Sequence, residues 1–365
     1  KLLSPEHIAY EYFGQSVAIS GSTLIVGAYG NGAYKGKVYV YHWNGSTWAY
    51  AQTLTAPDAA NYDYFGYSVA VSGNVILVGA YGVDVFVTNS GSVHVYRSTD
   101  GGATWVYAQT FWPSDTASGD SFGFAVALSG PTAVIGATAD DSFTGSAYVF
   151  SDTGSNFQWE TRLVASDRKT SDRFGQTIAI SGSAVLIGAQ YWTNSARGIV
   201  QQGKAYYFAY DGTAWREKLS LLQTSPWGYT EDHFGSAVAL DGASAVIGAM
   251  DEDAPAPTDS GKAYFFDYTC TTSPTTYTLT TLIAGTGSGT VAKSPNQASY
   301  NASTVVTLTV TPSINSTFTS RSGDLLDTTN PATITMDADK IVIRKPEGRV
   351  IGFEIDHQGI QILPP

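Results

Sequence analysis

The sequence predicts an all-β chain, a β-propeller of about five four-stranded blades followed by a small C-terminal β-module. The first observation is a repeated unit: Phe-Gly, a short apolar strand, a tight turn, then an apolar run ending in Gly-Ala. The copies open at Phe13-Gly14, Phe65-Gly66, Phe122-Gly123, Phe174-Gly175 and Phe234-Gly235, and close at Ala28, Ala80, Ala137, Ala189 and Ala249. The second observation is spacing. Copies start 52, 57, 52 and 60 residues apart, while each alanine follows its phenylalanine by fifteen. A fixed core with elastic connections and a period near fifty marks a propeller. The third is composition: 38 glycines and 23 tyrosines with only 14% charged residues are material for strands and turns.

The first copy shows how each blade is written. Ser16–Ser20 alternates with period two, Gly21-Ser22 turns the chain, and Thr23–Ala28 returns as a second strand. After a variable loop, Gly36 precedes a third strand over Lys37–Tyr41; Asn44-Gly45 is a hairpin turn and Trp48–Leu54 a fourth strand. The third strand recurs at Gly91–Tyr96, Gly145–Phe150, Gly203–Phe208 and Gly261–Phe266. Trp105, Trp159 and Trp215 follow it in register, which predicts packing between blades rather than ligand contact. Blade sheets are buried on both faces, so small residues are needed where backbones approach. After Tyr268 the last blade lacks its tryptophan strand, and Lys1–Leu3 reads as the tail of an outer strand. Either that tail completes the last blade and closes a five-bladed ring, or further blades lie upstream.

These paired Phe-Gly and Gly-Ala signatures resemble the FG-GAP repeat family, over residues 1–268. Its integrin α-chain members are propellers that bind protein ligands, so the resemblance implies a binding role. The integrin-type repeat carries an acidic calcium loop between the first two strands. Here only Ser20-Gly21, Ser72-Gly73, Ser129-Gly130, Ser181-Gly182 and Asp241-Gly242 stand there, and a turn this short cannot wrap an ion in six or seven oxygens. The chain is thus similar to the calcium-free bacterial variant, and neither metal nor cofactor is expected.

A linker is expected over 269–276, where the composition shifts towards threonine, serine and asparagine. Residues 277–343, with Gly285–Val291, Val305–Leu308, Ser322-Gly323-Asp324 and Asn330–Lys340, resemble the internalin-type B-repeat module of bacterial surface proteins. Arg321 stands where that family usually has a tryptophan. The tail, 344–365, reads as a hairpin around Asp356–Gly359.

Bulk properties exclude several functions. A net charge of −12 argues against nucleic acid or an anionic membrane as partner, and no apolar run is long enough to span a bilayer. Cys270 is the only cysteine, so no intrachain disulfide is available. Low charge, turn-rich composition and the sequons at Asn44, Asn301 and Asn315 point to an exported protein, its leader removed.

Catalytic patterns are missing: there is no HExxH, Walker loop, zinc-spaced set or nucleophile elbow. Glycosidases on propellers need two carboxylates at the channel mouth, yet the expected channel-lining strands carry only Asp241. Acids recur two residues before each Phe-Gly (Glu11, Asp63, Asp120, Asp172, Asp232) and seven before four of them (Glu6, Asp58, Asp115, Asp167). Recurrence in register assigns them to turn shaping.

Binding residues are therefore sought in the connections. Loops before Phe-Gly and after Gly-Ala must emerge on one face of the disc, and the latter vary in length and content. The non-repeating candidates are Tyr29, Tyr81, Asp140, Asp141, Tyr191, Trp192, Asp251, Glu252 and Asp253. Asp251, Asp253 and Asp259 make a weak cation candidate without the glycine and spacing of a known loop. The expected protein is a non-enzymatic extracellular or cell-surface binding or adhesion protein, contacting protein or glycan through this face. The alternative is a structural subunit of an extracellular assembly, self-assembling by strand addition at its terminal strands. A glycan-active enzyme trails both.

Overall fold

A computed structural model describes the chain except residues 86, 224–230, 243, 253–260, 268–275, 284–287, 302–303, 315, 337–339, 347–352, 357–358 and 363–365. The fold is nearly all β and divides into two compact units, Lys1–Thr269 and Cys270–Pro365.

The first unit consists of five antiparallel meanders in chain order. In the first blade Val17–Ser20, Thr23–Ala28, Lys37–Trp43 and Trp48–Leu54 pair in sequence. Three further four-stranded sheets repeat this, and the fifth sheet has three described strands, Phe234–Asp241, Ser244–Ala249 and Lys262–Asp267. Every four-stranded blade has a register shift at one position of the third strand, at Val40/Tyr41, Val95/Tyr96, Val149/Phe150 and Tyr207/Phe208. Such a bulge adds twist to the outer edge.

Adjacent blades meet through the Phe-Gly step. Phe65, Phe122, Phe174 and Phe234 are fully buried, each in a core shared with the preceding blade. The glycine of each Gly-Ala step makes this possible. A Cβ on Gly27, Gly79 or Gly136 would sit 2.0 Å from the carbonyl oxygen of Gly66, Gly123 or Gly175 in the next blade. Serines complete the joint: the Oγ atoms of Ser20, Ser72, Ser129 and Ser181 accept the N–H of Gly73, Gly130, Gly182 and Gly242 one blade on.

Described residues form four such joints. Val17 and Ile19 on the first blade are each more than half exposed, as is Phe265 on the last. Among the described residues Lys1–Leu3 pairs with no strand of the last sheet. The Leu3 carbonyl accepts the Tyr41 hydroxyl as the Thr55 carbonyl accepts that of Tyr96 one blade on, the place expected of an outer-strand tail ahead of the first blade. One correction concerns Trp159, which is exposed. Its partner position belongs to Phe157, whose N–H donates to Gln109 as that of Trp105 donates to Gln52.

In the second unit, Gly289–Ser294, Val305–Pro312 and Ala332–Thr335 form one sheet. Leu279–Ile283 lies parallel to Lys340–Pro346, which pairs on its other side with Phe318–Gly323. Leu279, Tyr300, Val306, Leu308, Ile334, Met336 and Val342 make its core. Arg321 is buried there, donating to the carbonyls of Leu308 and Thr329 and to Asn330 Oδ1, with its guanidinium over Phe318. A buried cation is tolerated only with such partners. The tail hairpin pairs Phe353–Asp356 with Gly359–Ile362.

Candidate functional site

The three residues before each Phe-Gly form a repeated device. The middle one is the recurrent acid, and it is buried in all five copies. Asp63, Asp120 and Asp172 each accept a backbone N–H three residues upstream, from Ala60, Ala117 and Lys169, so they shape the turn as expected. Glu11 instead takes the Tyr39 hydroxyl and Asn31, and Asp232 takes Gln223. Burial pushes the carboxyls of Asp63 and Asp120 upward and that of Asp172 up to about 6.

The residues flanking this acid are left-handed. Immediately before Phe-Gly stand Tyr12, Tyr64, Ser121, Arg173 and His233, with φ of 55°, 58°, 58°, 54° and 53°. Left-handed backbone costs a non-glycine residue roughly 1–2 kcal/mol and is tolerated where the surroundings over-determine it. Here the preceding blade does so: the N–H groups of Tyr64, Ser121, Arg173 and His233 donate to the carbonyls of Tyr34, Asn89, Phe143 and Gln201. Further bonds from Gly30, Gly82 and Ala139 to the carbonyls of Glu11, Asp63 and Asp120 bring the loops after Gly-Ala alongside. Both loop sets thus share one face, and one backbone geometry presents side chains of four kinds at five places on it.

Two sectors result. Over blades one to three the face is tyrosine. Tyr12 stacks on Tyr29 at 4.8 Å and Tyr64 on Tyr81 at 4.7 Å. Tyr34, Tyr62 and Tyr67 link these pairs, and Phe124 ends the row against Tyr81. Burial raises the Tyr29, Tyr67 and Tyr81 hydroxyl pKa values, so these phenols stay neutral donors at ordinary pH.

Over blades three to five the face opens into a cleft of about 290 Å³ lined by Phe143, Thr170, Ser171, Arg173, Tyr191, Thr193, Val200 and Gln201. The Arg173 guanidinium lies 4.7 Å from the Tyr191 ring centre and 5.5 Å from that of Phe143. Tyr191 also meets His233 edge-on, and His233 bonds Asp251 at 2.7 Å and Gln201 at 3.1 Å.

The structure brings Tyr29, Tyr81, Tyr191 and Asp251 to this face. Asp141 sits nearby, half exposed and paired with Arg162 and Arg168. Three candidates are buried, which corrects their placement on an exposed surface. Asp140 holds the Tyr148 hydroxyl and Arg162. Trp192 lies under Lys204, and Glu252 holds Lys262 and the Tyr264 hydroxyl. Asp253 and Asp259 fall outside the described residues, and Asp251 is engaged by His233. Among described residues no acidic or histidine cluster is arranged to hold a metal. No described helix is long and apolar enough to cross a membrane.

Sequence reasoning missed Tyr12, Tyr34, Tyr64, Arg173 and His233. The available signal was variation: between a constant acid and a constant Phe-Gly, one position reads Tyr, Tyr, Ser, Arg, His.

Residues 1–41, 48–96, 105–150, 157–208 and 225–266 match the family model described as FG-GAP repeat. No curated protein matches the chain. Among solved structures, Saccharomyces cerevisiae Sqt1 aligns over 72% of this chain and 84% of its own, at 11% identity and a TM-score of 0.35.

Proposed function

The chain belongs to the FG-GAP repeat family, and from that premise we propose that it is a non-enzymatic binding protein of the cell surface or extracellular space. It contacts glycan or protein through the loop face of its propeller. One observation carries the reading: a single left-handed position, held by the preceding blade at Tyr64, Ser121, Arg173 and His233, presents these side chains and Tyr12 on one face. Backbone strain retained at variable side chains is expected of a recognition surface. Aromatic rings with polar tips, as in the tyrosine sector, suit sugars and protein surfaces alike. Export is supported by the family and by the low charge and turn-rich composition of the chain. The test is a glycan and surface-protein array probed with the full chain and with a Tyr64→Ala/Arg173→Ala variant that alters both sectors. Loss of binding in the folded variant supports the reading; undiminished binding rejects it.

A second reading, a subunit of an extracellular assembly, is favoured by the exposed apolar faces at Val17, Ile19 and Phe265 and by the three described strands of the last blade. Such an assembly forms by blade or strand addition. Light scattering across concentrations tests it: a mass that grows with concentration supports assembly, and a constant monomer mass rejects it.

A further inference from the structure

We propose that the cleft beside Arg173 binds a carboxylated sugar, with Arg173 gripping the carboxylate and Phe143 and Tyr191 flanking the ring. The inference rests on the loop-face reading and names the ligand class for one sector of it.

Charge makes the first argument. The chain carries a net −12, yet the segment leading into the fourth Phe-Gly holds Arg168, Lys169 and Arg173, whereas the segment Ala56–Tyr64 of the second copy holds no cation. Most neighbouring cations are neutralised: Arg168 and Arg162 by Asp141, and Lys204 by Asp167 at 2.7 Å. Arg173 has no carboxylate within ion-pair distance among the described residues, and Lys169 donates to Ser195 Oγ. An arginine at a cleft in an acidic protein, without an acid of its own, is placed to receive one from outside.

Geometry makes the second. Rings on two sides orient the guanidinium plane, so its N–H fork is pre-organised for two parallel bonds to a planar carboxylate. The left-handed backbone at Arg173, fixed by the Phe143 carbonyl, holds the side chain's root in place. The cleft wall supplies what the rest of a sugar needs. Phe143, Tyr191 and Val200 offer apolar faces, while Thr170, Ser171, Thr193 and Gln201 offer hydroxyl and amide groups. A volume of about 290 Å³ stands at the small end of ligand pockets, which fits one or two rings rather than a folded partner. The cleft is lined by loop side chains, with none of the long free sheet edge that would hold an extended acidic peptide.

Calorimetric titration of the full chain tests this. The probes are tetrasaccharides of galacturonate, mannuronate and hyaluronan, each beside its carboxyl-reduced, neutral counterpart. At least one acidic member is expected to bind at least tenfold more tightly than its reduced form, and its affinity is expected to fall with added salt. Arg173→Gln is expected to lose that tenfold preference; Arg173→Lys, which keeps the charge without the fork, should lose part of it. Trp159→Ala, exposed on the outer strand of the third blade and away from the loop face, should leave it unchanged. Thermal melts establish that each variant is folded. Equal binding of acidic and reduced sugars, or an acid preference that survives Arg173→Gln, overturns the proposal. If no acidic sugar binds while neutral glycans bind in a Tyr64-dependent way, this inference fails and the loop-face reading stands. If no sugar or surface protein binds either sector, both fail.

Discussion

Blades two and four spend the same backbone on different surfaces. Tyr64 and Arg173 share a φ near 55°, each follows a buried aspartate, and each donates its N–H to a carbonyl of the preceding blade. Yet Tyr64 closes a wall of stacked phenols, while Arg173 stands in an open cleft between two rings. The difference lies in the side chain and in the variable loops that stand beside it. The repeat fixes where a residue stands, and the variable position decides what is recognised there. This is the economy of repeat architectures: packing is solved once and chemistry is changed locally.

The largest expected effects come from breaking the shared frame. Phe174→Ala should cost about 3–5 kcal/mol, because its ring is fully buried between blades. Phe13→Ala should cost markedly less, since Phe13 is only partly buried. Denaturant unfolding of both variants checks this, and equal losses would contradict the account of the joint. Gly79→Val should be comparably severe, since its Cβ would meet the Gly123 carbonyl at 2.0 Å.

A smaller effect comes from Asp172 in the fourth blade. Burial raises the folded Asp172 carboxyl to about 6, above its unfolded value, so the folded state binds the extra proton. Stability from this group is therefore present below about pH 4 and falls as pH rises from 4 to 6. Asp172→Asn should remove that fall, seen as a difference between wild-type and variant midpoints over this window. A difference that grows in the opposite direction would contradict the burial of the acid.

The smallest effect on stability, and a decisive one for chemistry, comes from exchanging sectors. Arg173→Tyr keeps a left-handed non-glycine residue and should change stability by no more than about 0.5 kcal/mol. It should nevertheless abolish the preference for carboxylated sugars. A large loss of stability would mean that the variable position is structural after all.

The blades were legible in the sequence because Phe-Gly, Gly-Ala and the tight turns each answer a packing need that recurs with every joint. Asp63, Asp120 and Asp172 were legible as turn-shaping acids for the same reason, whereas Glu6, Glu11, Asp115 and Asp167 hold side chains of neighbouring elements and Asp232 holds Gln223. The binding face was only half legible. Tyr29, Tyr81 and Tyr191 are reached by asking which loops vary, but Asp140, Trp192 and Glu252 pass the same filter and are buried. Arg162 claims Asp140, Lys262 claims Glu252, and Trp192 lies beneath Lys204. Spacing alone does not reveal such partners, because they come from other strands. Tyr12, Tyr64 and Arg173 were hidden differently: they sit inside the most constant stretch of the repeat, where attention falls on what stays the same. Trp159 failed by register, two residues past the position that Phe157 fills.

The most direct test replaces Tyr12, Tyr64 and Arg173 together with serine, the residue the third copy already carries at this position as Ser121. The backbone tolerates serine there, so the variant should melt close to wild type. Array binding to glycans and surface proteins is then compared between the two chains. The account predicts a folded variant that has lost its ligands; a folded variant that binds as wild type does would contradict it.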